Sequence, residues 1–144
     1  MKITGLLPGL TYEDAGMMVD WLTKHFGFEE RSRWVDVDGV VRQVEMYAGD
    51  FELWFGGRGI GHWEREGYKP MQWVGVWVDD VDAFYERVKA TCIDVGEPKE
   101  EDYSVYGFMV TDPEGVMWGF SKRIDKPYFQ RLEDGWREIL AKPN

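Results

Sequence analysis

The chain has 144 residues, 31% charged and 44% apolar, with a formal net charge of −10 and a single cysteine. That size and mix fit one folded domain and exclude a disordered tail, a collagen-like fibre and a disulfide scaffold. The acidity argues against nucleic acid and anionic lipid, whose phosphates need a basic patch, and suits cationic ligands instead. Eight tryptophans are far more than ordinary usage supplies, so they need a reason.

The start, Met1-Lys2-Ile3-Thr4-Gly5, lacks a basic stretch followed by an apolar one, and no apolar run is long enough to span a bilayer. A cytoplasmic protein without membrane contact is expected. Residues 3–11 read as a strand. Residues 14–26 read as a helix, with Asp14 as N-cap, an apolar face of Met18, Trp21, Leu22 and Phe26, and Gly27 as the stop. Residues 29–36 and 40–48 form a hairpin around a two-residue Asp38-Gly39 turn, and 51–55 a short further strand. The glycine-rich stretch 57–70 reads as a linker or flap.

The order then repeats. Residues 71–78 read as a strand, 80–92 as a helix, 94–97 as a short strand, and 104–111 and 116–122 as a hairpin. The helix carries Val81, Phe84, Tyr85, Val88 and Cys92 on its apolar face, which makes Cys92 a buried structural thiol. Tyr12-Glu13-Asp14-Ala15 matches Val78-Asp79-Asp80-Val81, and Gly49 matches Gly115, both at a spacing of 66 residues. The chain therefore divides into repeat one (1–56), linker (57–70), repeat two (71–122) and an extension (123–144). Pro127 opens a helix in the extension, with a stripe of Phe129, Leu132, Trp136, Ile139 and Leu140.

Strand alternation assigns faces. In Trp73-Val74-Gly75-Val76-Trp77-Val78 the valines suit packing under helices, so Trp73 and Trp77 share the other face with a gap at Gly75. In Phe51-Glu52-Leu53-Trp54-Phe55, Glu52 and Trp54 share the face opposite the apolar row. Trp34, Tyr106 and Phe108 are further candidates for that face. Trp21, Trp118 and Trp136 are read as packing. Indole faces beside a carboxylate suit a flat or cationic ligand through stacking and cation–π contact, each of order 1 kcal/mol.

Two βαβββ units resemble the vicinal oxygen chelate superfamily, which contains glyoxalase I, extradiol dioxygenases and fosfomycin and bleomycin resistance proteins. The residues that carry the resemblance are Tyr12-Glu13-Asp14-Ala15, Trp21-Leu22 and Phe26-Gly27-Phe28 in the first unit. In the second they are Val76 to Asp82, Tyr103-Ser104, and Val110-Thr111-Asp112-Pro113-Glu114-Gly115. The resemblance covers residues 1–122 and implies an α+β fold in which two curved sheets form an open half-barrel around the ligand. It also implies a homodimer.

Metal-using members draw His, Glu or Gln from the first and last strands of each unit. Those positions fall here on Leu7, Trp73, Gly119 and either Glu52 or, by a gapless repeat, Leu53. His25 and His62 lie away from them. The expectation is therefore no metal, no cofactor and no catalytic residue. The resemblance is nearest to the bleomycin-resistance branch, which sequesters cationic antibiotics. Trp34, Glu52, Trp54, Trp73, Trp77, Tyr106 and Phe108 are the expected ligand contacts. Two alternatives stay open: a metal-dependent glyoxalase- or dioxygenase-type enzyme with displaced ligands, and a non-catalytic regulatory protein.

Overall fold

The computed structural model describes residues 1–57, 71–101, 104–125 and 133–139. Two four-stranded sheets are built in the same order. The first comprises β1 (Gly9–Thr11), β2 (Glu29–Val35), β3 (Val41–Ala48) and β4 (Phe51–Gly56), with helix α1 (Ala15–Phe26) after β1. The second comprises β5 (Trp73–Trp77), β6 (Lys99–Glu101), β7 (Val105–Thr111) and β8 (Met117–Arg123), with α2 (Val81–Lys89) after β5. The strand orders are β1-β4-β3-β2 and β5-β8-β7-β6, each with one parallel pair at the β1 or β5 edge. This is the open α+β architecture expected from the resemblance. Among the described residues no helix is long and apolar enough to cross a membrane.

The helices start where the sequence signals them. Asp14 accepts from the Met17 amide at 3.0 Å and Asp80 from the Ala83 amide at 3.0 Å, each satisfying an otherwise unpaired first-turn donor. Gly27 ends α1 in the left-handed region (φ 71°), with its amide on the Leu22 and Thr23 carbonyls. Met18, Leu22 and Phe26 are fully buried, and Trp21 packs partly buried against Phe26.

The core is shared between the sheets. Phe26 of α1 meets Trp118 and Phe120 of β8 at centroid distances of 5.5 and 4.8 Å, and Phe28 also packs on Trp118. Three polar ties join the units beside this core. Asp112 accepts from the Tyr12 hydroxyl at 2.6 Å and the Trp118 indole N–H at 3.0 Å, while its other oxygen accepts from the Glu114 and Val116 amides. Glu114 takes the Glu13 and Asp14 amides at the start of α1. The Gln72 amide accepts from the Thr11 N–H at 2.9 Å and donates to its carbonyl at 3.0 Å, clasping the β1 edge to the segment entering β5.

Several boundaries differ from expectation. The first strand spans only residues 9–11, because Pro8 has no N–H and contributes only its carbonyl, which accepts from Trp54. The β2–β3 turn is a three-residue loop closed by Asp36 and Val40, with Gly39 left-handed at φ 81°. Asp112-Pro113-Glu114-Gly115-Val116 repeats that turn, with the same Asp–Val amide pairing and Gly115 at φ 90°. Helix α2 stops at Lys89 because the Thr91 hydroxyl takes the Val88 carbonyl and Cys92 turns to φ 65°. Cys92 is therefore exposed and not on the apolar stripe. The strand expected at 94–97 forms instead at 99–101; Ile93 and Val95 pack on the core as loop. Residues 136–139 are not helical, Gly135 sits at φ 82°, and Trp136 and Ile139 are exposed. The linker at 58–70 with His62, and Phe129, Leu132 and Leu140 of the expected tail helix, lie outside the described residues.

Candidate functional site

The helices cover one face of each sheet and leave the other open. Register identifies which side chains share the open face. In the second sheet Trp73, Gly75 and Trp77 oppose Met117, Gly119 and Ser121 of β8, which in turn oppose Thr111, Met109 and Gly107 of β7. Trp73 and Trp77 are 63% and 61% exposed, far above what indoles retain in a core. The gap expected at Gly75 is not empty. A Cβ there would stand 3.0 Å from the Trp73 ring, and one on Gly119 would stand 2.9 Å from the Met109 sulfur and 3.6 Å from Trp73 Nε1. The Trp73 indole thus lies over a shelf made by two register-paired glycines. Arg123 stands over the Trp77 ring, its guanidinium carbon 4.7 Å from the centroid.

Beside this shelf, at the β6–β7 edge, is a cleft of about 310 Å³ lined by Lys99, Glu101, Gly107, Met109 and Ser121. Gly107 is required by close approach. A Cβ there would meet the Phe120 carbonyl oxygen and Ser121 Oγ, both at 2.3 Å.

In the first sheet Glu52 pairs with Tyr47, Trp54 with Glu45, and Gln43 with Trp34. All lie in the rows opposite the core residues Val44, Met46, Leu53 and Phe55. Trp34, whose face alternation left open, joins the open face and is 65% exposed. Glu52 is exposed beside the half-buried Trp54. Leu53 is buried, so the gapless repeat slips by one residue here.

Two candidates move to the helix side. The Phe108 ring is buried against Tyr85 at 5.6 Å and Phe120 at 5.4 Å, although the residue borders the cleft. The Tyr106 hydroxyl donates to Asp82 of α2, a bond that raises the phenol's pKa. Both sit in the even-numbered row of β7, which packs under α2. The strand starts one residue later than expected, at Val105, and polarity gives no cue to which of its rows faces the helix.

Glu45 shares this open face and is a candidate that the sequence analysis does not single out. It is only 8% exposed. Its Oε2 accepts from Ser32 Oγ at 2.8 Å and from the Arg31 guanidinium. The pairing steps from Glu30↔Met46 to Ser32↔Glu45, so Arg31 is the extra residue of a β-bulge that turns it toward Glu45. Glu45 holds the guanidinium above its ordinary pKa, by hydrogen bonding first and charge second. Across the strand, the Trp54 indole N–H is buried without a hydrogen-bond partner. Alternation in Val41–Ala48 is the signal that could have found it; the bulge that gives it a partner leaves no mark in the sequence.

Of the positions where the fold places metal ligands, Leu7, Trp73 and Gly119 offer no donor, and Glu52 alone has a carboxylate. Among the described residues no three His, Cys, Asp or Glu converge on a point. His25 is buried on the helix layer with its Nδ1 2.6 Å from Thr91 Oγ1. Among the described residues, the donors at these positions do not fit a divalent ion.

Solved structures share this architecture. TioX from Micromonospora sp. ML1 superposes with a TM-score of 0.71 at 26% identity, over 84% of this chain and 99% of that one. A glyoxalase-related enzyme from Clostridium phytofermentans gives 0.70 at 14% identity, over 86% and 98%. A bleomycin-binding protein complexed with bleomycin gives 0.65 at 16% identity, over 84% and 99%. No curated protein matches the chain by sequence. The family model of the Glyoxalase/Bleomycin resistance protein/Dioxygenase superfamily matches residues 6–120, and the chain belongs to that superfamily.

Proposed function

We propose that this protein binds an aromatic, cationic small molecule reversibly, without turnover, on the open faces of its two sheets. The observation that carries the reading is the exposure of Trp34, Trp73 and Trp77, each more than three-fifths accessible on the face the helices leave bare. Exposed apolar patches of this kind mark binding surfaces. The Arg123 guanidinium over Trp77 supports a cationic ligand, because it is the same contact made within the chain. The net charge of −10 favours the approach of a cation. The similarity to a bleomycin-binding protein supports the same class of ligand. A second copy of the chain, seated across the open faces, would complete each cup as a homodimer.

Intrinsic tryptophan fluorescence titrated with bleomycin, and with planar aromatic cations beside their neutral isosteres, tests this reading. Saturable quenching by the cations, weakened in Trp77→Ala and Trp73→Ala, is expected. No quenching across the panel would refute binding. One tightly bound Ni, Zn, Mn or Fe per chain that confers turnover would replace it with metal-dependent catalysis. Sedimentation velocity with and without bleomycin reads the dimer.

A further inference from the structure

Within that binding reading, we infer that Glu45 is the carboxylate that selects a positive ligand on the first sheet, and that Arg31 occupies its place in the free protein. Three observations meet here. Glu45 is a carboxylate 8% exposed on a face otherwise open to solvent. Its charged partner comes from a β-bulge, a device that re-aims one side chain at a site. The Arg31 side chain is itself 48% exposed, against 10% for Glu45, so the cation can leave while the carboxylate stays. Leaving costs little where the departing group is half in water.

Two indoles next to this pair sharpen the ligand's chemistry and give its test a reporter. Trp54 is the cross-strand neighbour of Glu45, and its indole N–H has no acceptor. Trp34 lies diagonally, two residues beyond Ser32 on the strand facing Glu45. A planar cation meets these: its positive nitrogens on Glu45 and its ring over Trp34, close enough to Trp54 for that indole to report it. Ser32 Oγ, bonded to the same Glu45 oxygen as Arg31, keeps the carboxylate oriented while the cations exchange. Glu52, exposed and two residues from Trp54, then adds long-range attraction and not contact selection.

The test uses the whole chain and reads the tryptophan side-chain N–H signals by NMR, assigned through single Trp→Phe variants. The probes are phenylguanidinium and its uncharged isostere phenylurea. Phenylguanidinium is expected to shift the Trp54 signal, and phenylurea is not. In Arg31→Ala the apparent Kd for phenylguanidinium should fall three- to tenfold, because the internal competitor is gone. In Glu45→Gln it should rise at least tenfold. Arg33→Ala, which removes a charge from the opposite face of the same strand, should change nothing. A merely structural ion pair would weaken binding in both Arg31 and Glu45 variants, which overturns the inference. If phenylguanidinium moves only the Trp73 and Trp77 signals, and Arg31→Ala gains nothing, the ligand sits on the second sheet; the binding reading survives and this inference fails. If neither phenylguanidinium nor bleomycin moves any indole signal, both fail. Should Glu45→Gln not fold, Arg31→Ala decides alone, since its side chain is exposed and its loss leaves no apolar cavity.

Discussion

Replacing Asp112 by Asn changes one atom and should cost this fold about 3 kcal/mol. The carboxylate receives four donors at 2.6–3.0 Å: the Tyr12 hydroxyl and Trp118 indole on one oxygen, the Glu114 and Val116 amides on the other. An Asn amide must point its NH2 at one of these pairs. Toward the turn it would face two backbone N–H groups, neither able to accept. Toward the core, the Tyr12 hydroxyl can rotate to accept, but the Trp118 N–H is left buried without a partner. That orphan costs about 1–3 kcal/mol, and losing charge assistance from the surviving bonds adds about 1 kcal/mol. For a chain of this size, about 3 kcal/mol lowers Tm by roughly 9 °C. Urea unfolding followed by fluorescence measures it. Asp112→Ala, which strands all four donors, should be worse, and Tyr12→Phe should cost about 1 kcal/mol. A loss below about 1 kcal/mol in Asp112→Asn would refute the account of Asp112 as the tie between the units.

Other outcomes follow from the same contacts. Burial first, and the Asp112 bond second, push the Tyr12 phenol well above 10. Above that pH the unfolded chain releases a proton that the folded chain keeps, so stability should fall as pH rises past about 10 by up to ~1.4 kcal/mol per unit. Tyr12→Phe should flatten that limb in an alkaline urea series. Burial, then Lys24, lowers the His25 pKa. The unfolded chain therefore protonates first, and stability should drop as pH falls below about 6.5; thermal melts of His25→Gln should show a shallower acid limb. The Thr91 hydroxyl proton is committed to Val88, so His25 Nδ1–H donates to Thr91. Gly107→Ala should leave the chain largely insoluble or destabilised by about 3 kcal/mol or more, because the new methyl meets the Phe120 carbonyl oxygen and Ser121 Cα, which cannot rotate away as Ser121 Oγ can; a folded variant with unchanged Tm would show that β7 and β8 separate more easily than the register implies.

The helices, their caps and most strands could be read from sequence because they depend on local chemistry: Asp14 and Asp80 at N-caps, Gly27 at a C-cap, valines alternating in β5. The errors arose where non-local contacts decide. Tyr106 and Phe108 share an alternating strand with residues of similar polarity, and only the packing of α2 tells which row it buries. Cys92 continues a helical stripe on paper, but a Thr91 hydroxyl on the Val88 carbonyl ends the helix first. Glu52 stands out in the sequence because it sits in an apolar–Glu–apolar strand pattern beside Trp54, and Glu45 does not stand out at all. What distinguishes Glu45 is a bulge in the partner strand, and a one-residue register step has no sequence signature. The Gln72 clasp depends likewise on two edges brought together by the whole chain.

The aromatic contact between α1 and β8 bears on whether either half of the chain can stand alone. Phe26 and Phe28 belong to the first unit, yet their ring partners Trp118 and Phe120 belong to the second. A chain cut between the units would leave those rings facing water in each fragment. Neither fragment should then fold by itself, while the two mixed together should reassociate through the same rings. The domain is one cooperative body made of two similar parts, and its two open faces are held in place by a core that neither part owns.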